Sequence, residues 1–195
     1  DAVNEAIKNL KPASLKIAVG EAKGKIAYNY YAPDLYDPRC GVIQALDQSG
    51  KPIATLINYA IHPEIIGSGR GILSPDLCGP LYERIEAAGG GMAIFMNSAQ
   101  GGMVTADNRR PDGKEANDWD ECVRIGNLLA DQAIAIIEKA PVEKNPGLFC
   151  ASRKISLPVD NEIIKAIIKF SPLEYKGFEN DSAHTVLNLL NIGTA

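Results

Sequence analysis

The stretch Ile53-Ala54-Thr55-Leu56-Ile57-Asn58-Tyr59-Ala60-Ile61, running straight into His62-Pro63, decides how this chain reads. It is an apolar run rich in β-branched residues, and Pro63, which lacks an N–H for a ladder, stops it. On its N-terminal side, Asp47-Gln48-Ser49-Gly50-Lys51-Pro52 is turn chemistry and Gly41-Val42-Ile43-Gln44-Ala45-Leu46 is a second apolar run, so the two runs form a β-hairpin. On its C-terminal side, Leu77 to Ala88 has helical spacing, with Pro80 tolerable in the first turn and Gly89-Gly90-Gly91 ending it. Met92-Ala93-Ile94-Phe95-Met96 is then apolar without alternation, which predicts a central strand covered on both faces. Hairpins and helical crossovers in one chain imply the α/β class: a layered fold with a mixed β-sheet flanked by helices.

Working outward, Val3, Ile7 and Leu10 have helical spacing over Ala2 to Leu10, and Leu15 to Val19 alternates as a strand, as does Lys25 to Tyr31. A loop is expected from Asn97 to Asn117. The longest helix should run from Asp118 to Lys139, with acids at 118, 120 and 121 at its positive end and Pro141 beyond its last turn. Val123, Leu128, Ile134 and Ile137 are its expected core face, and Trp119 an anchor in the core at its start. Phe149 to Leu157 reads as a strand, Glu162 to Phe170 as a helix and Thr185 to Ile192 as a buried final strand. At this length a single domain over 1–195 is the default. Both its ends read as cut, since a buried last strand followed by no further element is an odd way to finish a domain.

The 195 residues are 46% hydrophobic and 23% charged, which excludes disordered, collagenous and coiled-coil classes. Twenty basic against 24 acidic side chains give a net charge of −4, with no basic cluster, so nucleic acid is not an expected partner. No apolar run approaches the ~18–20 residues of a membrane span. The opening Asp-Ala-Val-Asn-Glu lacks the basic and apolar blocks of a signal peptide and reads as a mature or trimmed terminus. Cys40, Cys78, Cys122 and Cys150 lie far apart, without zinc-ribbon or CxxC spacing, and read as buried free thiols, with a disulfide as the alternative in a secreted protein.

Two segments place polar groups directly after buried strands, where open α/β sheets put ligands. His62 stands at a strand end on a backbone stiffened by Pro63, which suits a metal ligand or general base as well as a structural histidine. The second is Asn97-Ser98-Ala99-Gln100-Gly101-Gly102-Met103-Val104-Thr105-Ala106-Asp107-Asn108-Arg109. Its glycines admit close backbone approach to a ligand, and Ser98 and Thr105 offer hydroxyls; a plain turn with Asp107-Asn108 capping the loop is the competing reading. In Ser74-Pro75-Asp76, a cap on the helix near Leu77 suffices to explain both polar residues.

Together, Asn58-Tyr59-Ala60-Ile61-His62-Pro63, Leu73-Ser74-Pro75-Asp76-Leu77-Cys78-Gly79 and Phe95-Met96-Asn97-Ser98-Ala99-Gln100-Gly101-Gly102-Met103-Val104-Thr105 resemble the amino-terminal catalytic region of neutral/alkaline ceramidases. The resemblance implies a zinc-dependent hydrolase of an amide or carboxylic ester, working on a lipid-type small molecule and secreted or periplasmic. His62 matches a zinc histidine of that family. The nucleophile serine of its glycine-rich loop falls on Val104 or Thr105, depending on one residue of gap, and only Thr105 carries a hydroxyl. Asn97, Ser98 and the Gly101 and Gly102 amides would line the oxyanion side, with Asp76 supporting from behind. The family's Asn-Arg pair is Asn29-Tyr30 here, without the substrate-anchoring arginine. A catalytic zinc takes about three protein ligands. The family's other ligands, a His-x-His and a Pro-Gly-Glu, would lie before residue 1 and after Ala195, and His184, the second histidine, aligns with none. Two rival readings are a lipid- or glycan-binding relative without catalysis and a metal-free hydrolase pairing Ser98 with His62.

Overall fold

A computed structural model describes residues 1–101, 103–172, 178–179 (backbone) and 182–193. Gly102, one of the expected oxyanion amides, lies outside the described residues. The chain forms two compact units, 1–145 and 146–195. The first has the order α1 (Ala2–Lys8), β1 (Ser14–Glu21), β2 (Ala27–Asn29), β3 (Arg39–Leu46), β4 (Pro52–Tyr59), α2 (Cys78–Ala87), β5 (Met92–Asn97), β6 (Val104–Ala106), α3 (Trp119–Glu138) and β7 (Val142–Glu143). Its main sheet runs β5-β4-β3-β1-β7, antiparallel except for the parallel pair β4–β5, so the layered α/β class with a mixed sheet holds. A second ribbon pairs β2 with β6.

Alternation decides which sheet face is covered. Cys40 and Val42 of β3, Thr55, Ile57 and Tyr59 of β4 and Ala93 of β5 are buried on the face packed by α2 and α3. The opposite face carries Ile17, Ile43, Leu56 and Ile94 in one cross-strand row. β5 is therefore an edge strand with one covered face, and the expected central strand is corrected: Met92, Ile94 and Met96 are 66%, 42% and 52% exposed. An unbroken apolar run signals hydrophobicity on both faces, but not whether a neighbour covers both.

Helix α3 begins as expected, the Asp118 carboxylate accepting from the Glu121 N–H at 3.0 Å. Its last turn has no basic residue, and Lys16 of β1 supplies the charge from outside, Nζ donating to the carbonyls of Ile137 and Glu138 at 3.2 and 3.0 Å. The buried stripe of α3 is Cys122, Ile125, Gly126, Leu129, Ala130, Ala133 and Ile137. Of the expected core face, Ile137 is buried, Leu128 and Ile134 pack at its margin, and Val123 is exposed. Trp119 is 45% exposed and anchors no core. The large side chains mislead because the stripe is built largely of small residues, which let α2 approach closely. A Cβ on Gly126 would stand 2.5 Å from the Leu77 carbonyl oxygen at the mouth of α2.

In the second unit, β8 (Leu148–Pro158) and β10 (Ser182–Ile192) pair antiparallel along their whole lengths, β9 (Phe178–Glu179) adds to β10, and α4 (Glu162–Phe170) starts where the Asn161 side chain accepts from the Ile163 and Ile164 N–H groups. β10 is largely exposed, with Leu187 and Leu189 at 62% and 58%, which corrects the expected buried final strand. No described helix is long and apolar enough to cross a membrane.

The packing at Gly126 yields a stability prediction. An alanine there gains up to about 1 kcal/mol of helix propensity, but its methyl meets a backbone oxygen that cannot swing aside, an overpacking cost of about 1–3 kcal/mol. Gly126→Ala should therefore lower the urea midpoint of unfolding with an unchanged slope; a raised midpoint would show that α2 and α3 have room to part.

Candidate active site

β4 and β5 run parallel with Tyr59 opposite Asn97, so the loops leaving their C-terminal ends begin side by side. The first loop delivers His62 three residues past the end of β4. Its Nδ1 is hydrogen-bonded to the main-chain carbonyl of Val104 in β6. A carbonyl only accepts, so Nδ1 carries a proton and donates it, which leaves Nε2 outside that bond.

Two residues on, beyond Pro63, the same loop reaches β6 again: Thr105 Oγ1 donates to Glu64 Oε1 at 2.8 Å. Glu64 and Thr105 line a cavity of about 300 Å³ together with Tyr30, Asn108, Glu115 and Asn117. The hydroxyl expected from the glycine-rich loop thus sits one residue from the carbonyl that His62 grips, and it faces open space.

The β2–β6 ribbon holds Thr105 opposite Tyr28. Tyr28 is buried, and its hydroxyl donates to Glu115 Oε1 at 3.3 Å. Burial first, then the charge of Glu115, raises its pKa. The Arg109 guanidinium lies 3.7 Å from the Tyr28 ring centroid and makes two hydrogen bonds to Asp107, at 2.8 and 2.9 Å. Burial of Asp107 works to raise its pKa, but hydrogen bonding and attraction from Arg109, with help from Lys25, outweigh it and hold the carboxyl below its ordinary value. Arg124 of α3 donates to the carbonyls of Asp107 and Lys25, both at 2.9 Å, and so moors the ribbon to the helix layer.

Asp76 is buried at φ +52°, and its carboxylate accepts from the Ile66 N–H at 2.8 Å and the Leu77 N–H at 2.7 Å. Its own N–H donates to Ser74 Oγ at 2.9 Å. Neither side chain caps α2 in the expected manner, since Leu77 holds the cap position without a side-chain bond. Asp76 instead ties the loop behind Glu64 to the mouth of α2. It lines a second cavity, of about 420 Å³, on whose wall Glu64 also stands.

The remaining candidates lie apart from Thr105. Asn97 ends β5 exposed, the Ser98 N–H is taken by the Tyr59 carbonyl at 3.0 Å, and Gly101 sits in a turn at φ +54°. Among the described residues, none of these three lines the Thr105 cavity. Burial pushes the Cys78 thiol up to about 11 and those of Cys40 and Cys122 up to about 12, so these buried cysteines stay protonated at neutral pH. Cys150 is exposed, against the expectation of burial. Glu64, Tyr28, Arg109 and Glu115 were given no role by the sequence reading, although Glu64 and Arg109 close the two segments it singled out. Only Glu64 carried a local signal, its place two residues from His62 across a proline.

No protein-family model matches the chain, and no curated protein matches it in sequence. Among solved structures, neutral ceramidase from Pseudomonas aeruginosa superposes with a TM-score of 0.65 at 20% identity, over 78% of this chain and 27% of that one. A ceramidase complexed with C2 superposes with a TM-score of 0.64, also at 20% identity, over 78% and 26%. The chain therefore has the fold of part of a neutral ceramidase, the fold that the three motifs anticipated, and spans about a quarter of the length of those structures.

The Asp107–Arg109 pair sets an acid response. The unfolded carboxyl titrates near 3.8 and the folded one lower, so the pair's stabilisation is present above 3.8 and drains as pH falls through the folded value. Arg109→Met removes that contribution, and its thermal midpoint should fall less steeply than wild type between pH 4 and pH 2. Parallel slopes would mean that Arg109 does not hold Asp107 ionised.

Proposed function

We propose that this chain carries part of the catalytic centre of a ceramidase-like hydrolase, cleaving an amide or carboxylic ester of a lipid-type substrate with Thr105 as the nucleophile. One observation carries this reading: His62 bonds the carbonyl of Val104 in β6, and Thr105, the next residue of that strand and more than forty residues from His62 in sequence, lines a cavity. The fold shared with part of two ceramidases supports it.

His62 fits the first ligand of a zinc ion, because donation from Nδ1 to Val104 orients the ring and leaves Nε2 to the metal. Among the described residues no group of three His, Cys, Asp or Glu side chains is placed to hold a metal, so an ion on His62 needs further donors. Bound there, zinc would polarise the scissile carbonyl. The chain's own part is to seat the carbonyl carbon against Thr105 Oγ1 in the cavity and to hold that hydroxyl in one rotamer, a task to which a β-branched side chain is suited. The Ser98–His62 alternative has no contact in its favour: no hydrogen bond joins the two side chains, and the bond that His62 makes through Nδ1 goes to the Val104 carbonyl.

In the intact protein, Thr105→Ala should keep its metal content and lose hydrolysis of a short-chain ceramide and of a p-nitrophenyl ester by about 10²-fold or more. His62→Ala should lose zinc, read by elemental analysis, together with turnover. Unchanged turnover in Thr105→Ala would overturn the nucleophile assignment, and normal zinc in His62→Ala the ligand assignment. Lipid binding without turnover by the unaltered protein would favour the non-catalytic relative.

A further inference from the structure

We propose that Glu64 is the catalytic base for Thr105, taking the hydroxyl proton directly as Oγ1 attacks the substrate carbonyl; this rests on the reading of Thr105 as the nucleophile. The hydrogen bond is already formed in the resting structure, Thr105 Oγ1 donating to Glu64 Oε1 at 2.8 Å, and both groups line the same cavity of about 300 Å³. The neighbouring imidazole makes no hydrogen bond to the Thr105 hydroxyl, which donates to Glu64, and among the described residues His62 does not line this cavity.

Both partners are held from outside the pair. Thr105 sits in β6 opposite Tyr28, and Glu64 lies between Pro63 and Ile66, whose N–H is bound by the buried Asp76 carboxylate. A carboxylate facing a hydroxyl across a hydrogen bond at an open cavity is the arrangement that an activated hydroxyl nucleophile requires. The Oγ1 proton is committed to Glu64, so an Oγ1 lone pair is left to form the new bond.

The step balances within the pair and the substrate. Oγ1 adds to the carbonyl carbon while its proton passes to Glu64. The tetrahedral adduct then collapses, and the amine or alcohol leaves with that proton, giving an acyl ester on Thr105. Water adds to this ester as Glu64 takes one of its protons. Collapse releases the carboxylic acid, and the proton returns to Oγ1.

The test is acylation of the intact protein by p-nitrophenyl acetate, read as the rate of p-nitrophenol release and as an acetyl group located on a Thr105 peptide by mass spectrometry. Glu64→Gln keeps an oxygen that can accept from Thr105 but cannot take up its proton, and it should slow acylation by about 10²–10⁴-fold with an unaltered circular dichroism spectrum. Glu64→Ala should be similarly slow and regain rate with added formate, which supplies a carboxylate to the vacated space; this second variant decides the matter if the glutamine form does not fold. Acylation of Glu64→Gln at the wild-type rate, or a folded Glu64→Ala indifferent to formate, would reduce Glu64 to a positioning residue and leave Thr105 as nucleophile. Absence of an acetyl group on Thr105 in the unaltered protein would overturn that reading and this inference with it.

Discussion

The proton that His62 donates to the Val104 carbonyl is the contact on which the site depends. Parallel pairing of β4 with β5 brings two loops to one end of the sheet, but it fixes only where they start. The first wanders from residue 60 to the mouth of α2, and the second returns as β6 to pair with β2, a ribbon outside the main sheet. A neutral hydrogen bond contributes about 1 kcal/mol and one to a charged group about 1.5–3. The His62–Val104 and Thr105–Glu64 bonds therefore outweigh the entropy of neither loop alone, and they act by choosing among arrangements that the sheet already permits. With Pro63 between them, two adjacent contacts define one register of loop against strand.

That register is braced from the helix layer. Asp76, strained into the left-handed region, binds the N–H groups of Ile66 and Leu77 and so ties the loop to the start of α2. Arg124 of α3 binds the carbonyls of Lys25 and Asp107 on the far side of the ribbon. The two helices are themselves drawn together at Gly126, where α3 has no side chain to keep Leu77 away. A polar site with open cavities is thus suspended between rigid elements, and the interactions that position it belong largely to residues without chemistry of their own.

The hairpin, both long helices of the first unit and the two long strands of the second, though not their pairing, were legible, because hydrophobic period, turn residues and terminal charge are local properties. Where the reading went astray, the missing information was a neighbour. Met92 to Met96 has the composition of a doubly covered strand and yet lies at an edge. Val123 was expected in the core and is exposed, whereas Gly126, given no role from sequence, is the contact with α2. The segment 97–117 read as a loop because β6 is three residues long and pairs with β2, some seventy-five residues earlier. Asp76 and Ser74 have the composition of a cap, but Asp76 divides its carboxylate between the Leu77 N–H and the Ile66 N–H of the loop, and Ser74 accepts from Asp76 itself.

Of the site itself, the sequence alone determined which groups exist and roughly where along the chain they stand: an imidazole at a strand end, a hydroxyl after a glycine pair, and three motifs that resemble those of ceramidases. Those are matters of residue type and order. Only the tertiary structure decided that the hydroxyl meets Glu64, that the histidine turns its Nδ1 proton to a backbone carbonyl, and that Asn97, Ser98 and Gly101 stand apart from the Thr105 cavity. Such pairings are set by the register of loops that close over forty residues. No local pattern encodes that register, because it follows from the packing of helices, sheet and ribbon together.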